Sequence, residues 1–177
     1  MSNLLCPASA STSPSSSAAI ADRAGGITWL DNNVDAAEGD YGYADFYASV
    51  GALAMGRTTY DQVLGFGDWP YDKPTYVFTH DRPDAAPPDV QFVTEAPARF
   101  AADAPWGDGD LWLVGGGKLI AGFRSAGLID EYVLTVLPVL LGDGLPLFPG
   151  TQPEVALRLA SVEHWPSGVV QLQYKRR

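Results

Sequence analysis

The sequence predicts an α/β protein: a mixed β-sheet with helices on both faces, closed by a C-terminal antiparallel hairpin. Three observations carry that reading. Apolar runs of strand length alternate with helix-period segments between about residues 43 and 127. Two of those runs lead straight into glycine and a helix start, at Met55-Gly56-Arg57 and at Val114-Gly115-Gly116-Gly117. Towards the C-terminus the pattern changes to strict alternation on either side of Pro166-Ser167-Gly168, the signature of a hairpin.

Taken in order, residues 7–19 are small, polar and low in complexity (PASASTSPSSSAA), and their composition predicts disorder. Tyr43, Phe46, Tyr47 and Val50 follow the i, i+3, i+4, i+7 spacing of a helix packed on one face. Leu53-Ala54-Met55 is a short buried strand ending at Gly56. A helix then starts near Arg57, places Tyr60, Val63 and Leu64 on one side, and stops at Gly65 as a C-terminal glycine. Residues 75–79 (TYVFT) are β-branched and aromatic and predict a strand; residues 90–93 predict a weaker one. Residues 97–109 read equally as a short helix or an irregular loop.

Leu111-Trp112-Leu113-Val114 is a compact strand that runs into three glycines and a helix with Leu119, Ile120 and Phe123 inward, ended by Gly127. Residues 132–141 are apolar on both alternating faces and predict a central strand covered on both sides. Val155, Leu157 and Leu159, then Val170, Leu172 and Tyr174, supply the two strands of the hairpin. No repeat is visible, and residues 20–177 read as one domain.

Composition narrows the functional classes. With 21 acidic and 11 basic residues the chain carries a formal charge of −10, which repels a phosphate backbone, so nucleic acid is not an expected partner. No apolar stretch approaches membrane-span length. Cys6 is the only cysteine, and His80 and His164 lack metal-ligand spacing; neither a disulfide nor a metal site is expected. The N-terminus lacks the basic start and apolar core of a secretory signal, which predicts a cytoplasmic setting.

On so acidic a protein, an anionic ligand has to be held by local dipoles and a few cations. A helix start leaves about four amide groups unpaired and favours negative charge. Glycine lets a phosphate approach that backbone closely. Gly115, Gly116 and Gly117 followed by Lys118 offer such a seat, although a tight turn without ligand fits the same residues. Neither the Walker A nor the G-x-G-x-x-G spacing is present. At Gly56-Arg57-Thr58-Thr59 a guanidinium and two hydroxyls accompany the second start; Thr58 as a plain N-cap is the alternative.

Several of these residues carry a family resemblance. Gly56-Arg57-Thr58-Thr59-Tyr60, Val114-Gly115-Gly116-Gly117-Lys118 and Leu134-Thr135 resemble three cofactor-side landmarks of dihydrofolate reductases. The stretches at 127–132 (GLIDEY) and 138–148 (PVLLGDGLPLF) are similar to the riboflavin-biosynthesis reductase domain and its stand-alone homologues. The resemblance covers roughly residues 20–175. It implies a three-layer α/β/α sandwich, NADPH as hydride donor, a small heterocyclic substrate of pterin or aminopyrimidine type, and a homodimer.

By position, the resemblance puts Gly115, Gly116, Gly117, Lys118 and Leu119 at the pyrophosphate, with a cis peptide at Gly115–Gly116. It puts Gly56, Arg57, Thr58 and Thr59 at the adenosine-side phosphates, and Thr79 and Arg82 beside a 2′-phosphate. On the substrate side it points to Asp40, with Asp45 as the other candidate acid. Tyr43, Phe46 and Tyr47 either line that side or, for at least two of them, simply pack in the core. The catalytic acid stays unassigned.

The chain departs from the family at its start. Ile20-Ala21-Asp22, Gly25-Gly26-Ile27 and Trp29-Leu30 match, but a serine-rich run stands where the first strand and its Leu-Asp-Gly loop are expected. Residues 1–19 therefore read as a disordered or aberrant N-terminus that removes a core strand. That leaves a second functional class open, a catalytically silent nucleotide-binding or structural homodimer. A deaminase-associated reductase is a third reading. The chain has no His-x-Glu or Pro-Cys-x-x-Cys motif, so any deaminase would be a separate chain.

Overall fold

A computed structural model of the chain describes residues 4–10, 19–103, 105–148 and 154–177. They fall into two compact units. The first comprises Met1–Cys6 and Ser49–Ile129, the second Pro7–Ala48 and Asp130–Arg177.

The first unit is built on parallel strands. In chain order they are β1 (Leu4–Ala10, which runs on into the second unit), β3 (Val50–Gly56), β4 (Thr75–Phe78), β5 (Val90–Val93) and β6 (Asp110–Gly115). Their spatial order is β5-β4-β3-β6-β1, all neighbours parallel. Ala52, Leu53, Ala54 and Met55 in β3 are wholly buried, which is why that strand reads as a continuous apolar run.

Three helices accompany this sheet: α3 (Arg57–Gly65), α4 (Pro97–Asp103) and α5 (Gly117–Ser125). Val77 pairs with Phe92 and Phe78 with Val93, so Phe92 and Phe78 point to opposite faces. Phe92 meets Tyr60 of α3, while Phe78 meets Phe100 of α4 and Phe123 of α5. Helix α3 therefore covers one face and α4 with α5 the other. This is the expected three-layer α/β/α arrangement.

In the second unit β7 (Glu131–Val136), β10 (Val170–Arg176) and β9 (Leu157–His164) form an antiparallel sheet in the order β7-β10-β9. Short strands β2 (Ala19–Ala21) and β8 (Leu145–Pro146) pair separately. Two short helices, α1 (Thr28–Asp31) and α2 (Tyr43–Ser49), flank a 3-10 turn at Ala36–Glu38. Trp29, Leu137 and Val169 form this unit's core, with Tyr41, Val139 and Trp165 packed against it.

Several expectations need correction. Residues 7–10, predicted disordered, belong to β1, whose Leu4 and Leu5 pair with Leu111 and Trp112. The strand expected to be missing is supplied by β1, a segment of different composition. The remainder of the low-complexity run, residues 11–18, lies outside the described residues.

The strand predicted over 132–141 stops at Val136. Pro138 has no N–H to donate and pushes the preceding residue out of regular pairing. Residues 97–103 settle as helix α4. Gly65 keeps helical geometry inside α3, whose cap is Phe66. Gly127, by contrast, takes φ 66°, and Leu128 N–H returns to the Phe123 carbonyl in a Schellman closure.

Candidate functional site

The geometry follows from two adjacent parallel strands that end at the same level. Met55 of β3 is in register with Gly115 of β6, so α3 and α5 start side by side at the carboxyl end of the sheet. Both helix starts are capped by glycine, Gly56 and Gly116, and neither receives a side-chain hydrogen bond. Thr58 is thus not an N-cap; it lies exposed in the first turn of α3. The first-turn amides of both helices are left for another acceptor.

The two glycine caps lie close together. A Cβ on Gly116 would stand 3.4 Å from the Gly56 nitrogen, and one on Gly115 would stand 3.3 Å from Thr59 Oγ1. Gly116 turns the chain through φ 93°, a conformation glycine adopts without strain. The cis peptide expected at Gly115–Gly116 is absent; every peptide bond of the described residues is trans, and Gly116's positive φ makes the turn instead. Lys118 is exposed at the start of α5, whereas the Leu119 side chain is buried, leaving only its backbone to face a ligand.

Beside this pair lies the end of β4. Arg57 Nε donates to both carboxylate oxygens of Asp61, at 2.8 and 2.9 Å, and its Nη1 donates to the Asp81 carbonyl at 2.7 Å. The same carbonyl accepts from Thr79 Oγ1 at 3.1 Å. The hydrogen bond that Arg57 donates to Asp61 pushes the guanidinium pKa further up. Gly56, Arg57, Thr59, Thr79, Gly115 and Gly116 are thereby gathered in one place. Arg82 is not tied to them: its guanidinium donates to the Phe92 carbonyl of β5 at 3.1 Å.

Asp61 and Asp81 are the residues that sequence reasoning missed. The i,i+4 spacing of Arg57 and Asp61 on a helix was a signal for the first. Asp81 is 24 residues away from Arg57 and left no local trace.

The substrate-side candidates belong to the second unit. Asp40 accepts from Gly42 N–H at 3.0 Å and Ala44 N–H at 2.8 Å, so its carboxylate caps α2. Asp45 sits exposed in the first turn. No residue of α2 is buried, which overturns core packing for two of its aromatics. Tyr43 and Tyr47 stack with centroids 5.6 Å apart and planes 16° from parallel, and Phe46 is half-buried. Among the described residues no group of three potential metal ligands occurs, and no helix is long and apolar enough to cross a membrane.

Comparison with known proteins now decides the family. The family model described as RibD C-terminal domain matches residues 74–171, more than half of the chain. The chain belongs to the RibD C-terminal domain family. YwjB of Bacillus subtilis (strain 168) is 39% identical to it over 160 residues, covering 89% of this chain and 90% of that protein. YyaP of the same organism is 29% identical over 149 residues, covering 76% and 79%.

Among solved structures, a Shewanella sp. PV-4 protein whose name ascribes it to riboflavin biosynthesis matches this RibD-type chain with a TM-score of 0.87. It is 31% identical, covering 100% of this chain and 99% of its own. Acinetobacter baumannii RibD matches with a TM-score of 0.67 and 15% identity, covering 99% of this chain and 58% of its own length. That second likeness establishes the fold.

Proposed function

We propose that this RibD-type chain is a reductase that takes a hydride from NADPH and delivers it to a small heterocycle of pterin or aminopyrimidine type. One observation carries the reading: two glycine-capped helix starts lie so close that a single added Cβ would bridge the gap between them, and their first-turn amides are not engaged by any side-chain cap. A pyrophosphate is the group such a double cradle suits. It brings negative charge to two helix dipoles at once and needs the backbone clearance that only glycine gives. The family relationship adds support, since a Thermotoga maritima structure of the same fold is named a deaminase and 5-amino-6-(5-phosphoribosylamino)uracil reductase.

In this mechanism the bound nicotinamide supplies the hydride. The protein's residues do the positioning. Amides at the starts of α3 and α5 fix the pyrophosphate, and Lys118 offsets part of its charge at the α5 start. Arg57 and Thr79, linked through the Asp81 carbonyl, hold the adenosine side. Tyr43, Phe46 and Tyr47 are proposed on the resemblance as contacts for the substrate ring.

The test combines binding and turnover. NADPH fluorescence titration should give a micromolar Kd, lost in Gly116→Ala, which puts a side chain on a backbone held at φ 93°. A screen of NADPH oxidation against pterins, aminouracils and quinones should find a substrate. Binding without turnover on any of these classes would indicate a silent nucleotide binder; no binding would overturn the reading.

A further inference from the structure

Beyond the reductase reading, on which it rests, the end of β4 carries a second message. In α/β dinucleotide folds a carboxylate at the adenosine ribose accepts its hydroxyls and selects against a 2′-phosphate, while a free arginine selects for one. Here both occur in contact. Arg57 is the cation of this corner, and it is already shared: Asp61 takes its Nε with both oxygens, and the Asp81 carboxylate stands 3.4 Å from Nη1. The Asp81 side chain is 91% exposed, so its carboxylate is open to solvent beside Arg57. Arg82, the residue expected to add positive charge, is turned to the Phe92 carbonyl. Two carboxylates thus surround one guanidinium, and a dianionic 2′-phosphate gains little there.

We propose that Asp81 is a specificity-determining residue that cancels the attraction of Arg57 for a 2′-phosphate, so that this chain accepts NADH about as readily as NADPH. Asp81 can accept a hydrogen bond from the ribose hydroxyl of NADH, and it repels the phosphate of NADPH. Arg57 remains a positioning group for either cofactor, held in place by the Asp81 main-chain carbonyl, which no side-chain substitution removes.

The experiment is a pair of titrations on the full chain at pH 8. Nicotinamide fluorescence gives Kd for NADPH and NADH; calorimetry with 2′,5′-ADP and 5′-AMP reads the adenosine end without turnover. The wild-type Kd values for the two dinucleotides should agree within about fivefold, the range that exposed charges command. Asp81→Asn should tighten NADPH and 2′,5′-ADP by about three- to fivefold and change NADH and 5′-AMP less than about twofold. Asp108→Asn, which removes the same charge from an exposed loop at the start of β6, should leave the ratio unchanged. A wild-type preference for NADPH of about a hundredfold or more, or an Asp81→Asn variant that shifts both cofactors equally, overturns the proposal while leaving the reductase reading intact. Absence of binding by either dinucleotide overturns both.

Discussion

Tyr60 and Tyr76 are both buried side chains of the first unit, yet their hydroxyls meet different surroundings. Tyr76 donates to the Pro105 carbonyl at 3.0 Å; the Tyr60 hydroxyl finds no acceptor among the described residues. A buried hydroxyl without a partner costs free energy, whereas a satisfied one contributes about 1 kcal/mol. Tyr76→Phe should therefore destabilise the chain by about 1 kcal/mol, and Tyr60→Phe should be neutral or stabilising by up to about 1 kcal/mol, in urea unfolding. Burial pushes both phenols above the ordinary value of 10.0. A raised folded-state pKa gives stability that is complete below pH 10.0 and lost as pH rises through the folded value, so these groups weaken the fold only in strong alkali. Asp143 has the opposite sign. Its hydrogen bond from Arg23 holds the carboxyl below 3.8, so the stability it contributes is present above that pH and lost as pH falls through the lowered value. Both side chains are exposed, and salt screens such a pair. Acid melting curves of Asp143→Asn and the wild type should differ at low ionic strength and converge in concentrated salt.

At the scale of elements, backbone clearance decides which substitutions the first unit tolerates. Strands β3 and β6 converge at their amino ends, where a Cβ on Gly109 would lie 2.5 Å from the Gly51 Cα. That contact is backbone against backbone and cannot relax by a rotamer change. Gly109→Ala should cost about 2–3 kcal/mol, the upper range for overpacking, in denaturant midpoints. Gly65→Ala should act the other way, gaining about 0.5 kcal/mol, because its helical backbone suits alanine and nothing lies within 4 Å. The contrast also shows what local sequence reveals. Helix α3 was legible to its boundaries because an apolar strand, a glycine and a 3.6-residue period all agree there. Which glycine ends a helix in the left-handed region was not, since Gly65 and Gly127 sit in similar local patterns and only Gly127 takes that turn. Strand β1 was missed because its pairing with β6 joins residues more than a hundred positions apart, while the small and serine-rich residues that follow Leu4 and Leu5 dominated the local composition. The candidate site divides in the same way. Its glycines and Arg57 were readable as strand-to-helix junctions, but the carboxylate arriving from beyond β4 was not.

For the whole molecule, the net charge of −10 limits where two copies can meet. Any surface with its share of carboxylates repels its own image. The antiparallel sheet of the second unit offers a neutral exception. Val136, Leu134 and Tyr132 of β7 stand beside Val170, Leu172 and Tyr174 of β10, which in turn pair with His164, Val162 and Leu159 of β9. Cross-strand partners share a face, so these side chains form one surface that carries no charge until Arg176, opposite Leu157, at the end of β10. The opposite face is a polar ladder in which Gln173 bonds Ser161 and Glu131 while Gln171 bonds Thr135. Leu159 and Val162 are about half exposed, and Phe148, packed on Tyr132 at 6.1 Å, extends the apolar area. A second copy of this chain, bringing the same carboxylate-free run of side chains, is the occupant that adds least repulsion, and an isologous two-fold contact would use the face on both sides. The proposed homodimer should therefore appear as twice the 18.9 kDa chain mass in light scattering. Val162→Glu should convert it to monomer with unchanged far-ultraviolet circular dichroism, because the residue lies on the open face and contributes little to this unit's core. A wild-type chain that stays monomeric at micromolar concentration, or a Val162→Glu variant that stays dimeric, would place any self-association elsewhere.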